Sequence, residues 1–242
     1  MEYKHNRDFL KFDVQFDHTN PTANPLAQSD QTKGLPMPAA EKPYDEKDII
    51  VLPKPQDVVL KNRDIFDIFD SRESRRIPYS EMTLDELSFI LWAVQGTRIR
   101  NNAANKRTVP SAGARYPFDT YFSALSVGNL PTGLYRYIWS KHVIVPVHIS
   151  EDNKNELMRQ FDKCAVTIFW VVVPYRCEWR YVQFAHKFCA LDAGHMAQNG
   201  YLAAEALGRG CCAIGGYSQK DVDRLIGVDG VDEFTCYIEG FM

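Results

Sequence analysis

Cys164-Ala165-Val166-Thr167-Ile168-Phe169-Trp170-Val171-Val172-Val173 is a nearly continuous apolar run of strand length. A strand that reads apolar at every position is one covered on both faces, so it belongs at the centre of a sheet. Shortly after it, Glu178 to Leu207 contains no proline, and its apolar residues (Phe184, Phe188, Leu191, Ala193, Met196, Ala197, Tyr201, Leu202, Ala206) occupy more than one face of a helix. If continuous, that helix is about 45 Å long. A helix apolar on more than one side is buried on more than one side, in the core or at a subunit interface.

Working outward, the remaining signals mix helices and strands without βαβ alternation. Asp64 to Phe69 reads as a short helix, and Thr83-Leu84-Asp85-Glu86 is a capping box opening a helix that Gly96 ends. Asp119 to Val127, Gly133 to Trp139 and Val143 to Ile149 read as strands, then Glu151 to Phe161 as an amphipathic helix. After the long helix come a strand from Cys211 to Tyr217, a helix from Gln219 to Ile226 and a strand from Phe234 to Glu239. The fold class is α+β, in a body spanning residues 61–242. Residues 1–60 differ: they hold seven of the 13 prolines and form an extended arm, either disordered or wrapped on the body or on a partner subunit.

Composition narrows the function. A net charge of -3 with no basic face argues against a nucleic-acid partner. No apolar run reaches the about 20 residues of a membrane span, and the N-terminus has no signal-peptide core, so the cytoplasm is the default location. The six cysteines include no C-x-x-C pair and read as buried free thiols rather than a metal site; adjacent Cys211 and Cys212 point to opposite faces of a strand.

Three stretches carry potential chemistry. In Arg107-Thr108-Val109-Pro110-Ser111-Ala112-Gly113-Ala114-Arg115-Tyr116-Pro117, small residues between two prolines let backbone lie against a ligand, with N–H groups free to form an anion-binding nest. In Arg72-Glu73-Ser74-Arg75-Arg76, period-two alternation aims Arg72, Ser74 and Arg76 the same way, a set suited to a phosphate ester with a polyol tail. Ile214-Gly215-Gly216 closes an apolar strand with two glycines, as where backbone approaches a flat ligand. His195 reads as a histidine satisfied in a packed interior. No P-loop, G-x-G-x-x-G or G-x-S-x-G pattern is present.

Together with Leu91-Trp92-Ala93-Val94-Gln95-Gly96, Gly133-Leu134-Tyr135-Arg136-Tyr137, Leu191-Asp192-Ala193-Gly194-His195-Met196-Ala197-Gln198-Asn199 and Ala203-Ala204-Glu205-Ala206-Leu207-Gly208, these stretches run in the order seen in nitroreductase-like flavoproteins. The chain resembles their SagB-type dehydrogenase branch over roughly residues 60–240. That resemblance implies a mixed, mainly antiparallel sheet flanked by helices, and a homodimer built on the long central helix. It also implies FMN held by Arg72, Ser74 and Arg76, by Pro110, Ser111, Ala112, Gly113 and Ala114 from the other subunit, and by Ile214, Gly215 and Gly216. Reduced pyridine nucleotide, NAD(P)H, would give electrons to the flavin and be replaced by a small organic acceptor in ping-pong order. The alternatives are oxidation of a peptide-derived azoline and flavin binding without catalysis.

Three features depart from the family pattern. The chain ends at Gly240-Phe241-Met242 where many members carry a second basic cluster, which shifts phosphate binding to Arg72, Arg76 and Lys106 or Arg107. Ala114 stands where an asparagine is common. Arg180-Tyr181 stands where azoline-oxidising members carry Lys-Tyr, so the resemblance makes Tyr181 and Arg180 the candidate catalytic residues, with Tyr181 as the proton donor. Arginine cannot accept a proton at neutral pH, which weighs against azole formation.

Overall fold

The computed structural model describes residues 7, 9, 10, 25–98 and 106–242; the rest of the N-terminal arm lies outside the described residues. Its strands are β1 (Ile50–Val51), β2 (Thr97–Arg98), β3 (Lys106–Arg107), β4 (Phe118–Ala124), β5 (Gly133–Ile138), β6 (Val143–Pro146), β7 (Val166–Val172), β8 (Cys211–Ile214) and β9 (Phe234–Phe241). Its helices are α1 (Ile65–Ser71), α2 (Leu84–Gln95), α3 (Glu151–Gln160), α4 (Tyr175–Tyr181), α5 (Ala185–Leu207) and α6 (Gln219–Ile226).

The apolar run does become an interior strand. The sheet order is β1-β6-β5-β4-β7-β9-β8, and every described pairing in it is antiparallel. Residues alternate across β7: Val166, Ile168, Trp170 and Val172 join the larger core, with α2 and α5, while Phe169 and Val171 meet α3 and α6. Helices on both faces explain why every position of this strand is buried. Cys211 and Cys212 do split between the two sides of β8, and all six cysteines are free thiols.

Local signals produce the elements they describe. The Thr83 hydroxyl accepts from Glu86 N, and Thr83 N donates to the Glu86 carboxylate at 2.8 Å, completing the capping box of α2. Asp64 caps α1 rather than opening it, accepting from Phe66 N at 2.8 Å. Three strands are shorter than their apolar runs. β4 stops at Ala124, with Val127 making only isolated bridges to Met82 and Leu130; β6 stops at Pro146 and β8 at Ile214.

The largest difference from the sequence reading is the long helix. It is not continuous from Glu178: α4 ends at Tyr181, a 3-10 turn covers Val182–Phe184, and α5 runs 23 residues, about 35 Å. The break sits at Val182, whose φ of +45° and ψ of -129° no α-helix accommodates. Chain from the N-terminal segment holds α4 in its own direction. Gln31 N donates to Trp179 O at 2.9 Å, the Trp179 indole donates to Leu35 O at 3.0 Å, and Arg176 Nε donates to Ala39 O at 2.9 Å. Further along, Arg136 donates to Lys42 O and Pro43 O, and β1 joins the sheet edge beside β6. Residues 29–51 thus lie against the body of their own chain.

One contact between α5 and the sheet is close enough to dictate a residue. A Cβ at Gly200 would collide with the carboxyl of Glu239 on β9, which is fully buried. The Cys211 thiol donates to Glu239 Oε1 at 3.2 Å, and Oε2 has no hydrogen-bond partner among the described residues. Burial pushes this carboxyl well above the ordinary range near 4.5, despite the opposing pull of the thiol, so it is held neutral. A folded-state pKa raised in this way contributes stability below the unfolded value that is lost as pH rises. Glu239→Gln is therefore expected to match wild type near pH 4.5 and to exceed it at higher pH. The gap widens by up to about 1.4 kcal/mol per pH unit. Urea titrations between pH 4.5 and 8 check this; a gap that stays constant with pH contradicts it.

Candidate functional site

Two groups of residues meet α5 nine positions apart, at Asp192 and Tyr201, a separation of about 13 Å along the axis. Between and beside them the helix presents an open stripe. Leu191, Gly194, His195 and Gln198 are exposed, and nothing lies within 4 Å of a Cβ placed on Gly194. His195 is on this stripe rather than in a packed interior, because α5 places it one turn from Leu191 and Gln198 on the uncovered side.

The first group is the small-residue loop. After extended Ser111, a 3-10 turn covers Ala112–Ala114, and φ is positive at Gly113 (56°), Ala114 (55°) and Tyr116 (48°). Glycine takes that conformation freely; alanine and tyrosine do so at a cost of about 1–3 kcal/mol each. The carboxylate of Asp192, itself only 4% exposed, accepts from the Ser111 hydroxyl and from Ala112 N. Ser111 Oγ in turn accepts from Tyr116 N at 2.8 Å. Burial raises the Asp192 pKa, while Ser111, Ala112 N–H and the His195 charge pull it back. Against this loop stands Tyr181, whose hydroxyl occupies the space a Gly113 side chain would need. The Tyr181 ring meets Phe188 edge-on at 4.7 Å, and the Arg180 guanidinium lies 5.5 Å from its centroid. Pro110 is exposed at the loop's start.

The second group surrounds Tyr201. Its hydroxyl lies 2.9 Å from Ser74 Oγ and accepts from Ala213 N at 2.8 Å, while the Arg72 guanidinium sits 5.6 Å from its ring. Ala213 precedes Ile214, so Arg72, Ser74 and the Ile214-Gly215-Gly216 strand end converge. Both glycines are exposed, and a Cβ on either would meet nothing within 4 Å.

The structure redirects Arg76 and Arg107 and engages Arg115. Arg76 does not join Arg72 and Ser74; it lines a separate surface cavity with Ile77, Tyr79, Lys163 and Met242. Arg75 N donates to Cys211 O and the Arg75 side chain pairs with Glu205, which fixes this stretch beside β8 and the C-terminal end of α5. Arg107 is 1% exposed, between the rings of Tyr116 (4.4 Å) and Trp139 (3.9 Å), and donates to the Gln95 side chain. Burial draws its pKa down to about 9, which leaves it charged at neutral pH but out of reach of any ligand. Arg115 donates to Arg176 O at 2.9 Å and lies over Trp179. Lys106 is exposed on β3.

Asp192 and Tyr201 carry the two clusters, and neither was assigned a role from the sequence. The available signal was an acid within an otherwise apolar helical stretch, since a buried carboxylate requires donors nearby. No cluster of metal-ligating side chains occurs, and no helix is long and apolar enough to cross a membrane, among the described residues.

An antiparallel sheet sandwiched by helices, with an open central helix flanked by a cationic hydroxyl-bearing segment and a small-residue loop, is the framework of an oxidoreductase family. Residues 71–239 match the Nitroreductase family, and the chain belongs to it. A candidate nitroreductase of Methanocaldococcus jannaschii is 30% identical over 179 residues, 72% of this chain and 84% of that protein. Among solved structures, a candidate nitroreductase from Anabaena variabilis has a TM-score of 0.71 at 21% identity, covering 98% of this chain and 45% of that one. The Escherichia coli microcin synthetase McbBCD complex, with truncated pro-MccB17 bound, has a TM-score of 0.59 at 18% identity, covering 79% of this chain and 77% of that one. These two likenesses concern the fold.

Proposed function

We propose that the protein is an FMN-dependent oxidoreductase that takes electrons from NAD(P)H and passes them to a small organic acceptor in ping-pong order, working in the cytoplasm as a homodimer. The observation that carries this is the pairing of two half-cradles along the open stripe of α5. In a dimer joined on that stripe, the loop of one protomer faces the Arg72–Ser74 segment of the other.

The residues fit the cofactor. Arg72 has no carboxylate partner among the described residues and, with Ser74, suits a phosphate or ribityl oxygen. The open glycines Gly215 and Gly216 leave room for a flat ring, and Ala112, Gly113 and Ala114 add little bulk opposite. FMN, when bound, supplies the two-electron uptake and release that no side chain here provides. Backbone N–H groups at Gly113 and Gly215 would donate to the cofactor and help to orient it. Tyr181, at the loop, holds the proton that an acceptor needs on reduction.

A second reading keeps the cofactor and changes the substrate: a SagB-type dehydrogenase that oxidises a peptide-derived azoline. Tyr181 beside the loop favours it, and the guanidinium of Arg180 over the Tyr181 ring weighs against a base at the neighbouring position. Purified protein is expected to carry one FMN per protomer, to lose its flavin colour anaerobically with NADH or NADPH, and to regain it with a quinone or nitroaromatic. No flavin uptake overturns the proposal. Bound FMN that NAD(P)H leaves oxidised favours binding without NAD(P)H chemistry, and oxidation of an azoline peptide lost in Tyr181→Phe but not in Arg180→Gln favours the second reading.

A further inference from the structure

The sequence suggests a loop whose free amides would receive a ligand's anion. In the structure those amides are already engaged. Ala112 N–H donates to Asp192 Oδ1 at 3.3 Å, Ala114 N–H to Ser111 O at 3.0 Å, Arg115 N–H to Ala112 O at 3.1 Å and Tyr116 N–H to Ser111 Oγ at 2.8 Å. Of residues 112–116, only Gly113 has an amide with no partner among the described residues. The anion at this loop is the Asp192 carboxylate, which arrives from within α5 and accepts from one amide, Ala112 N–H, and from the Ser111 hydroxyl. Three positive φ values in four residues make the path one that the backbone does not hold unaided.

We propose that Asp192 is the positioning residue of this loop: its carboxylate clamps Ser111 and Ala112 from the core side and holds Ala112–Tyr116 in the left-handed path that keeps Gly113 against Tyr181. The surface left for a ligand is then uncharged, with one N–H donor and three small residues. Resting on the FMN reading, this assigns the two ends of the cradle. The phosphate belongs at Arg72 and Ser74, and the loop receives an uncharged part of the cofactor. Aspartate suits the position because its two oxygens accept from Ser111 and Ala112 together. Asparagine keeps one acceptor, and alanine keeps none.

The test is amide hydrogen exchange on peptides spanning residues 110–118 in flavin-free protein, alongside FMN titration by fluorescence quenching. Asp192→Ala is expected to speed exchange of this peptide at least tenfold, with β4 and β7 peptides unchanged, and to weaken FMN at least tenfold; Asp192→Asn should fall between it and wild type. Wild-type exchange at the loop in Asp192→Ala, or equal acceleration in β4 and β7, overturns the proposal, since the residue would then be inert or simply part of global stability. Exchange is read without flavin, so wild-type protein that fails to bind FMN would overturn the cofactor reading separately, with the loop result still decided by its own peptides.

Discussion

Asp119→Ala is expected to cost about 3–5 kcal/mol of folding stability, the penalty of leaving a buried charge without its partner. Asp119 on β4 and Arg176 on α4 form two parallel contacts, Nη1 to Oδ1 at 2.8 Å and Nη2 to Oδ2 at 3.0 Å, with both side chains 5% exposed. Without the carboxylate, the guanidinium keeps only its Nε bond to Ala39 O, in a site closed to water. For a chain of this size the loss lowers the melting temperature by ~10 °C or more. The pair itself gains little over well-packed apolar groups, so Asp119→Leu combined with Arg176→Met should be less damaging than either single truncation. Guanidinium denaturation of the three variants checks both statements; a loss under about 1 kcal/mol for Asp119→Ala contradicts them. The consequence reaches the site, because Arg176 O receives Arg115 and α4 carries Tyr181.

The features legible in the sequence are those decided by near neighbours. The capping box at Thr83 and Glu86 needs only four residues, and the β7 run declares its double burial through composition alone. The convergence of Ser74 with the Gly215-Gly216 strand end is also legible, because a polar hydroxyl beside cations and a glycine-ended strand each point to a ligand. What stays hidden depends on partners remote in sequence. Val182 reads as an ordinary helical residue, and only the bonds from Gln31, Leu35 and Ala39 to α4 show why the helix breaks there. Arg107 reads as a ligand-binding cation because nothing nearby reveals that Trp139 covers it. Period-two alternation groups Arg76 with Arg72 and Ser74, and nothing near it in sequence reveals that Arg76 lines a cavity with Lys163 and Met242 instead. Asp192 is hidden for a related reason: its partners, Ser111 and Ala112, lie some eighty positions upstream.

Arg72→Gln combined with Ser74→Ala is expected to raise the dissociation constant for FMN about a thousand-fold, because each hydrogen bond to a charged group contributes about 1.5–3 kcal/mol. Each single change should account for roughly ten- to a hundred-fold of this. The same substitution at Arg76 should change affinity less than about threefold, since the cavity it lines with Lys163 and Met242 is lined by no residue of α5. Arg107→Gln separates the two roles differently. It removes a guanidinium packed between Tyr116 and Trp139, so it should lower stability while the FMN affinity of the remaining folded protein stays near wild type. Fluorescence titrations with FMN, each paired with a melting curve, distinguish these outcomes. If Arg76→Gln weakens FMN as much as Arg72→Gln does, the alternating segment binds as its sequence suggests, and Arg76 leaves its cavity in the dimer. If Arg72→Gln is silent, the guanidinium serves only its contact with Tyr201, and the phosphate end of the cradle must be sought elsewhere on the partner-facing surface. The contrast between Arg72 and Arg76, two residues of one type four positions apart, therefore tests the fold around β8 and the cofactor assignment together.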